Sequence, residues 1–316
     1  MPAPTLNPQM AIILDRMKAA ELPSYATMSA PDARAEQERR NAYWNENPLE
    51  IARVEEFTVP GPFGARRMRL YDNAPSTATR PALLYLHGGG WVIGSIDSHD
   101  VIARELARRS DCIVAAYDYS LAPEHPFPQP LEDCIAGFDW LIENGRKLGI
   151  DADRIAVGGD SAGGGLTLGL AMHQRDTGGV KPSSLVLIYP TASARLDRES
   201  FSRFGGGEYV LSMELMHWFW NHHAPDPAQR ADTRIELVDA VLNGLPPIYM
   251  AIAEFDPLRD EGDLLLDRLK ETDTPVEYHI WRGVTHACLP MIRDLDPCDT
   301  FFQQIADFLR RCHSRR

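Results

Sequence analysis

The stretch Gly159-Asp160-Ser161-Ala162-Gly163 decides how this chain folds and where its chemistry lies. The strand candidate Arg154–Gly158 precedes it and the helical segment Ala162–Gln174 follows it. A serine between small residues at a strand-to-helix junction sits on a strained turn that pushes its hydroxyl out above the sheet. The pentapeptide occurs once in the chain. Its competing reading, a tight structural turn without chemistry, loses ground because strand and helix stand on the expected sides. Ser161 is the candidate nucleophile.

Around this turn, short and nearly continuous apolar runs alternate with helix-length segments. The strand candidates are Ala82–Leu86, Cys112–Tyr117, Arg154–Gly158, Leu185–Tyr189, Ile248–Ala253 and Val276–Trp281. Such runs suit strands buried on both faces, and their alternation with helices predicts right-handed βαβ units in a mainly parallel sheet. Upstream, Arg53–Val59 and Arg66–Tyr71 alternate apolar and polar residues around Pro60-Gly61-Pro62-Phe63-Gly64, the pattern of an antiparallel hairpin at a sheet edge. The predicted fold is α/β, a mostly parallel eight-stranded sheet flanked by helices.

Two regions break the rhythm. Residues 1–50 read as helical, over Met10–Ala20 and Pro31–Trp44, with proline-bearing breaks. Residues from about 200 to 245 hold Phe201, Phe204, Gly205-Gly206-Gly207 and the aromatic-rich Met213–Trp220. Both are expected to fold over the ligand end of the sheet, as a helical cap on a catalytic domain of residues 51–316. The 316 residues fit two domains or one α/β domain with a lid.

His87-Gly88-Gly89-Gly90-Trp91 directly follows the strand candidate Ala82–Leu86. Acyl transfer needs backbone N–H donors aimed at a developing oxyanion, and glycines let a backbone approach without a Cβ clash. A glycine run alone is more often a flexible turn. Here it ends a strand upstream of Ser161, and its donors would join the N–H of Ala162, the residue after the nucleophile.

An orienting acid and a base should follow in the order Ser, Asp/Glu, His. Asp256, in Asp256-Pro257-Leu258-Arg259-Asp260, lies just past the strand Ile248–Ala253; Asp260 is expected to cap the next helix, with Glu261 in its first turn. His286 falls in the loop beyond Val276–Trp281, whereas His279 is inside that strand and His313 is in the tail. His286 is therefore the candidate base.

Composition narrows the partners. Lys+Arg total 32 against 45 Asp+Glu, a net charge of −13, which repels phosphate backbones and anionic headgroups. Neither nucleic acid nor a membrane surface is expected as a partner. Five cysteines, Cys112, Cys134, Cys288, Cys298 and Cys312, are odd in number and contain no C-x-x-C pair, against a disulfide framework or a zinc site. Met10–Leu14 is too short for a signal-peptide core, and no stretch approaches the roughly 18 apolar residues of a membrane span. A reduced, cytoplasmic protein is expected. Arg310, Arg311, Arg315 and Arg316 read as a solvated helix end.

The ordered motifs resemble those of the bacterial hormone-sensitive-lipase-like carboxylesterases of the α/β-hydrolase fold. They are His87–Gly90, Tyr119–Glu124 with Pro126-Phe127-Pro128, Gly159–Gly163, and Asp256–Asp260 followed by His286. The resemblance implies a serine esterase with a Ser161–His286–Asp256 triad, an oxyanion hole from Gly88, Gly89 and Ala162, no metal and no organic cofactor. It also implies a cap from the N-terminal helices and an insertion after the sixth large strand. Relatives often dimerise through the last strand and helix; Phe301-Phe302 and Phe308 could serve that or pack on the sheet. Trp91, Tyr189 and Trp218 are expected to line and crowd the substrate pocket, which predicts small, short-acyl esters.

The chain departs from the family pattern in three places: Ser120 where Arg is usual, Gly165 where Asn is frequent, and the pair Ala287-Cys288 where Gly-Phe is common. Lactone opening and aryl amide cleavage share the same tetrahedral chemistry and stay open as alternatives. A non-catalytic small-molecule receptor is disfavoured because all three triad residues are present. His217, His222 and His223 read as a cap-helix surface rather than a metal site, Trp218, Phe219 and Trp220 as core or lid packing rather than a cofactor box, with the lid's inner aromatic face also touching the substrate, Cys288 as a small buried hydrophobe, and Asp160 as a structural hydrogen-bonder.

Overall fold

A computed structural model describes residues 5–314. Arg315 and Arg316 of the basic tail lie outside the described residues. One eight-stranded sheet carries the fold, in the order β1-β2-β4-β3-β5-β6-β7-β8. The strands are β1 (Arg53–Val59), β2 (Arg66–Asp72), β3 (Arg80–Leu86), β4 (Ile113–Tyr117), β5 (Ile150–Asp160), β6 (Leu185–Ile188), β7 (Ile248–Phe255) and β8 (Val276–Thr285). β2 runs antiparallel to β1 and β4, and the remaining pairs are parallel. The predicted hairpin therefore sits at one edge, with Val59 opposite Arg66.

The strands divide their side chains between two cores. In β3, Leu84 and Leu86 point to one face and Leu83 and Tyr85 to the other, as the two-residue period requires. The first face is covered by α4 (Gln129–Leu148), α5 (Ala162–Thr177) and α8 (Arg259–Lys270), the second by α3 (Asp100–Arg109) and α9 (Pro297–Ser314). α4 and α5 stop at Gly149 and Gly178, whose φ of +83° and +71° break the helical path. Phe301, Phe302 and Phe308 are all buried against the second face, so the packing alternative holds for them.

β8 runs four residues past the predicted end at Trp281. After a register shift near Ala253, Phe255 pairs with Thr285, and the Gly283 amide donates to Glu254 Oε2 at 2.8 Å. The apolar run ends at the irregularity, but the ladder resumes beyond it. His286 thus follows the strand directly.

The irregular regions become α1 (Pro8–Ala19) and α2 (Ala30–Asn41) at the start, and α6 (Glu199–Phe204) and α7 (Met213–His223) in the insertion. Asn7 caps α1, accepting the Gln9 amide at 2.9 Å, and Ser29 caps α2 by accepting that of Asp32 at 3.3 Å. α7 packs on the short turn Tyr25–Thr27, so the two irregular regions meet. Asp260 does not cap α8. It stands inside the first turn of α8 and accepts the Ser200 amide at 2.8 Å, holding the start of α6 from a distant segment.

Among the described residues no helix is long and apolar enough to cross a membrane, no three His, Cys, Asp or Glu side chains gather as a metal site, and the cysteines form no disulfide.

Candidate active site

Ser161 occupies the junction of β5 and α5 with φ +54° and ψ −119°, a conformation that L residues adopt at a cost. Its own amide donates to Ile188 O at 2.9 Å, and its carbonyl accepts from Thr191 and Gly165 at 3.0 and 3.2 Å. The flanking glycines are required by space. A Cβ at Gly159 would lie 2.3 Å from Leu86 O, and one at Gly163 1.9 Å from the same oxygen.

The tertiary structure brings Ser161, His286 and Asp256 together. The Ser161 hydroxyl donates to His286 Nε2 at 2.9 Å, and His286 Nδ1–H donates to Asp256 Oδ2 at 2.7 Å. Asp256 is 1% exposed, and its other oxygen accepts the Leu258 amide at 2.8 Å, which fixes its rotamer. Tyr189 and Trp281 lie edge-on to one another, and the Tyr189 ring stands 4.8 Å from the imidazole. Such a chain can pass a hydroxyl proton to the imidazole while the carboxylate sets its tautomer.

The glycine loop corrects one expectation. The Gly88 amide donates to Asp160 Oδ1 at 3.0 Å, so it points back into the protein and is not free to meet an oxyanion. Asp160 is buried and also accepts from the Tyr85 hydroxyl at 2.7 Å; His99 Nε2 lies 3.7 Å from its second oxygen. Burial pushes this carboxyl up, but the His99 ring, the Tyr85 hydroxyl and the nearby His87 together hold it below the usual range. The amides of Gly89, Gly90 and Ala162 have no protein acceptor among the described residues. Gly89 and Gly90 take φ of +117° and +58°, and a Cβ at Gly89 would lie 2.2 Å from Ile93 O.

Of the three expected substrate contacts, Trp91 stands beside this loop, stacked on His223 at 4.2 Å and tilted against Trp220 at 4.6 Å. Tyr189 is 1% exposed and backs the imidazole instead of facing open space. Trp218 is half-buried against Phe219 and His222. The side chain over the loop is Phe219, whose ring a Cβ at Gly90 would approach to 2.2 Å. Three successive aromatics on one helix left that phase undecided. A cavity of about 20 Å³ lies beside Trp91, Gly165, Leu166, His223 and Leu237. Burial pushes His223 down to about 3, so this imidazole is neutral.

The three departures have physical consequences. Ser120 is buried and donates its amide to Asp133 Oδ2 at 2.9 Å; Arg66 of β2 supplies the cation, with Nε 2.7 Å from that oxygen. Glu124 finds its cation in Arg34 of α2. A Cβ at Gly165 would lie 2.6 Å from Thr191 O, so the backbone here has closed over the space an Asn would need. Ala287 has φ +56°, which glycine takes freely and alanine only with strain. Cys288 is fully buried and accepts from the Cys298 thiol through its carbonyl at 3.3 Å; burial pushes its own thiol well up, which makes it unreactive.

Comparison with known proteins agrees with this geometry. A family model described as alpha/beta hydrolase fold matches residues 83–290. The chain is 35% identical to an ethyl acetate hydrolase of Pseudomonas putida, over 97% of its own length and 99% of that protein's. It is 32% identical to an acetyl esterase of Salmonella choleraesuis, covering 86% of this chain and 83% of that one. A hyperthermophilic esterase from the archaeon Pyrobaculum calidifontis superposes with a TM-score of 0.94 at 34% identity, over 98% of this chain and 99% of that one. With its fold, its motif order and these relatives in agreement, the chain belongs to the α/β-hydrolase family, among the hormone-sensitive-lipase-like carboxylesterases.

Proposed function

We propose that this protein is a serine carboxylesterase for small, short-acyl esters, with Ser161 as nucleophile, His286 as general base and acid, and Asp256 as the group that orients it. The observation that carries the proposal is the continuous Ser161–His286–Asp256 hydrogen-bond chain beside the three unengaged amides of Gly89, Gly90 and Ala162.

His286 takes the Ser161 proton as Oγ attacks the ester carbonyl carbon, and the carbonyl oxygen becomes an oxyanion on the three amides. The C–O bond to the alcohol breaks as His286 returns the proton to the leaving oxygen. Water, deprotonated by the same imidazole, then attacks the acyl-enzyme and releases the acid. Asp256 holds the imidazole in its orientation and stabilises the imidazolium.

A short acyl group suits Phe219 over the loop and Trp91 packed against His223 beside it. The names of two relatives, an ethyl acetate hydrolase and an acetyl esterase, point the same way. α1, α2, α6 and α7 form the cap in this proposal. A homodimer would form through the open edge at β8. Four buried cysteines that pack as apolar side chains suit a cytoplasmic location.

Hydrolysis of p-nitrophenyl esters from acetate to decanoate tests the proposal, with Ser161→Ala as control. Fast turnover of the short esters and a loss on the order of 10⁶ in kcat for the variant are expected. A folded wild type inert on every ester would overturn it, and a preference for decanoate would overturn the short-acyl part.

A further inference from the structure

Arg34 lies on α2, in sequence far from both loops it touches. Its Nε donates to Val92 O at 2.8 Å and its Nη2 to Ala122 O at 2.8 Å, while Nη1 and Nη2 form a fork on Glu124 at 3.0 and 2.5 Å. One side chain thus grips the loop after Gly90 and the loop after Tyr119.

Those two loops are already knitted together. The Ala122 amide donates to Trp91 O at 2.8 Å, and the Tyr119 hydroxyl donates to His87 O at 2.7 Å. The amides of Val92 and Ile93 both donate to Gly89 O, at 3.1 and 3.0 Å. Gly89 C=O and Gly90 N–H belong to one planar peptide and point in opposite directions. Fixing Val92 therefore fixes the direction of the Gly90 amide. The Arg34 side chain is 27% exposed and that of Glu124 is 49% exposed, so the ion pair itself adds little stability in water. The two carbonyl bonds are the distinctive part, and no lysine could form them together with the fork.

We infer that Arg34 is a positioning residue: acting through Val92 O and Ala122 O, it aims the Gly90 amide at the oxyanion, so that the N-terminal helix α2 is part of the catalytic apparatus. The inference rests on the esterase reading above for its kinetic consequence. Its structural premise, that Arg34 rigidifies the loop, is independent of it.

The test compares Arg34→Met, Arg34→Lys and Glu124→Gln with wild type on p-nitrophenyl acetate, together with amide hydrogen exchange at Val92 and Ile93. Arg34→Met should lose about 10- to 100-fold in kcat with KM nearly unchanged, because a small misdirection of a donor is costly while substrate binding is untouched. Arg34→Lys should fall in between. Glu124→Gln, which keeps both carbonyl bonds, should retain most of the activity. Exchange at Val92 and Ile93 should quicken in Arg34→Met and stay near wild type in Glu124→Gln. A folded Arg34→Met with wild-type kcat overturns the inference, as does a Glu124→Gln that falls equally far. Should the wild type itself be inert on esters, the esterase reading fails, and unchanged exchange at Val92 and Ile93 in Arg34→Met would overturn the positioning claim on its own.

Discussion

The carboxylate of Asp160 accepts the Gly88 amide across 3.0 Å, joining the residue before Ser161 to the first glycine of the neighbouring loop. Through this bond the Ser161 turn and the glycine loop after β3 share one anchor, which the Tyr85 hydroxyl completes from below at 2.7 Å. Gly88 gives up its own donor to the anchor, while the amides of Gly89 and Gly90 keep no protein acceptor among the described residues.

Asp160→Asn should therefore be mild and Asp160→Ala severe. An amide oxygen can still accept from Gly88 and Tyr85, whereas alanine leaves two buried donors unpaired, about 1–3 kcal/mol each. Steady-state kinetics and melting curves on both variants check this. Equal losses for the two would mean that charge, and not geometry, is what Asp160 supplies.

Gly90→Ala should lose at least about tenfold in kcat, because its Cβ would lie 2.2 Å from the Phe219 ring at φ +58°. Adding Phe219→Ala should recover part of that activity by vacating the space. Gly89→Ala should not be rescued in this way, since its Cβ meets the backbone at Ile93 O. A double-mutant cycle on kcat/KM measures the difference.

Glu261 makes stability depend on pH. It is fully buried, one oxygen accepts the Ala192 amide at 2.7 Å and the other has no hydrogen-bond partner among the described residues, and burial pushes its carboxyl well above the usual range. The folded chain keeps this proton while the unfolded chain releases it above about 4.5. Its contribution is thus complete at low pH and is lost as pH rises. Glu261→Gln keeps the acceptor and never ionises, so its melting temperature should exceed wild type by a margin of a few degrees that widens from about pH 5 to about pH 8. A constant margin would refute the titration.

Arg66→Met should cost about 3–5 kcal/mol, because it strands the Asp133 carboxylate, 0% exposed, without its cation. Arg66→Met with Asp133→Asn should restore much of that loss, since the amide oxygen can still accept from Ser120. Denaturant unfolding of the single and double variants gives the comparison.

Much of the site was legible because it is dictated locally. The Gly159–Gly163 turn tolerates only small flanks, and Asp256 and His286 follow the ends of β7 and β8, where an α/β sheet presents its ligand groups. Gly88 was misread because the direction of an amide depends on its acceptor, here a carboxylate 72 residues away. Three adjacent aromatics carry no phase, so the sequence does not say which of Trp218, Phe219 and Trp220 stands over the glycine loop; the packing of α7 on Trp91 and Gly90 places Phe219 there. Asp260 looked like a cap for its own helix, and only the proximity of α6 shows that it serves Ser200.

The sequence by itself determined the α/β class, the strand–turn–helix at Ser161 and the chain order of nucleophile, acid and base, since these follow from residue size, backbone freedom and hydrophobic period over a few neighbours. Tertiary structure alone decided which amides stay unpaired, that Arg66 is the cation paired with the buried Asp133 beside Ser120, and that Arg34 reaches two loops at once. Those facts depend on where separate segments meet, and hydrogen bonds between distant partners leave no periodic trace along a chain.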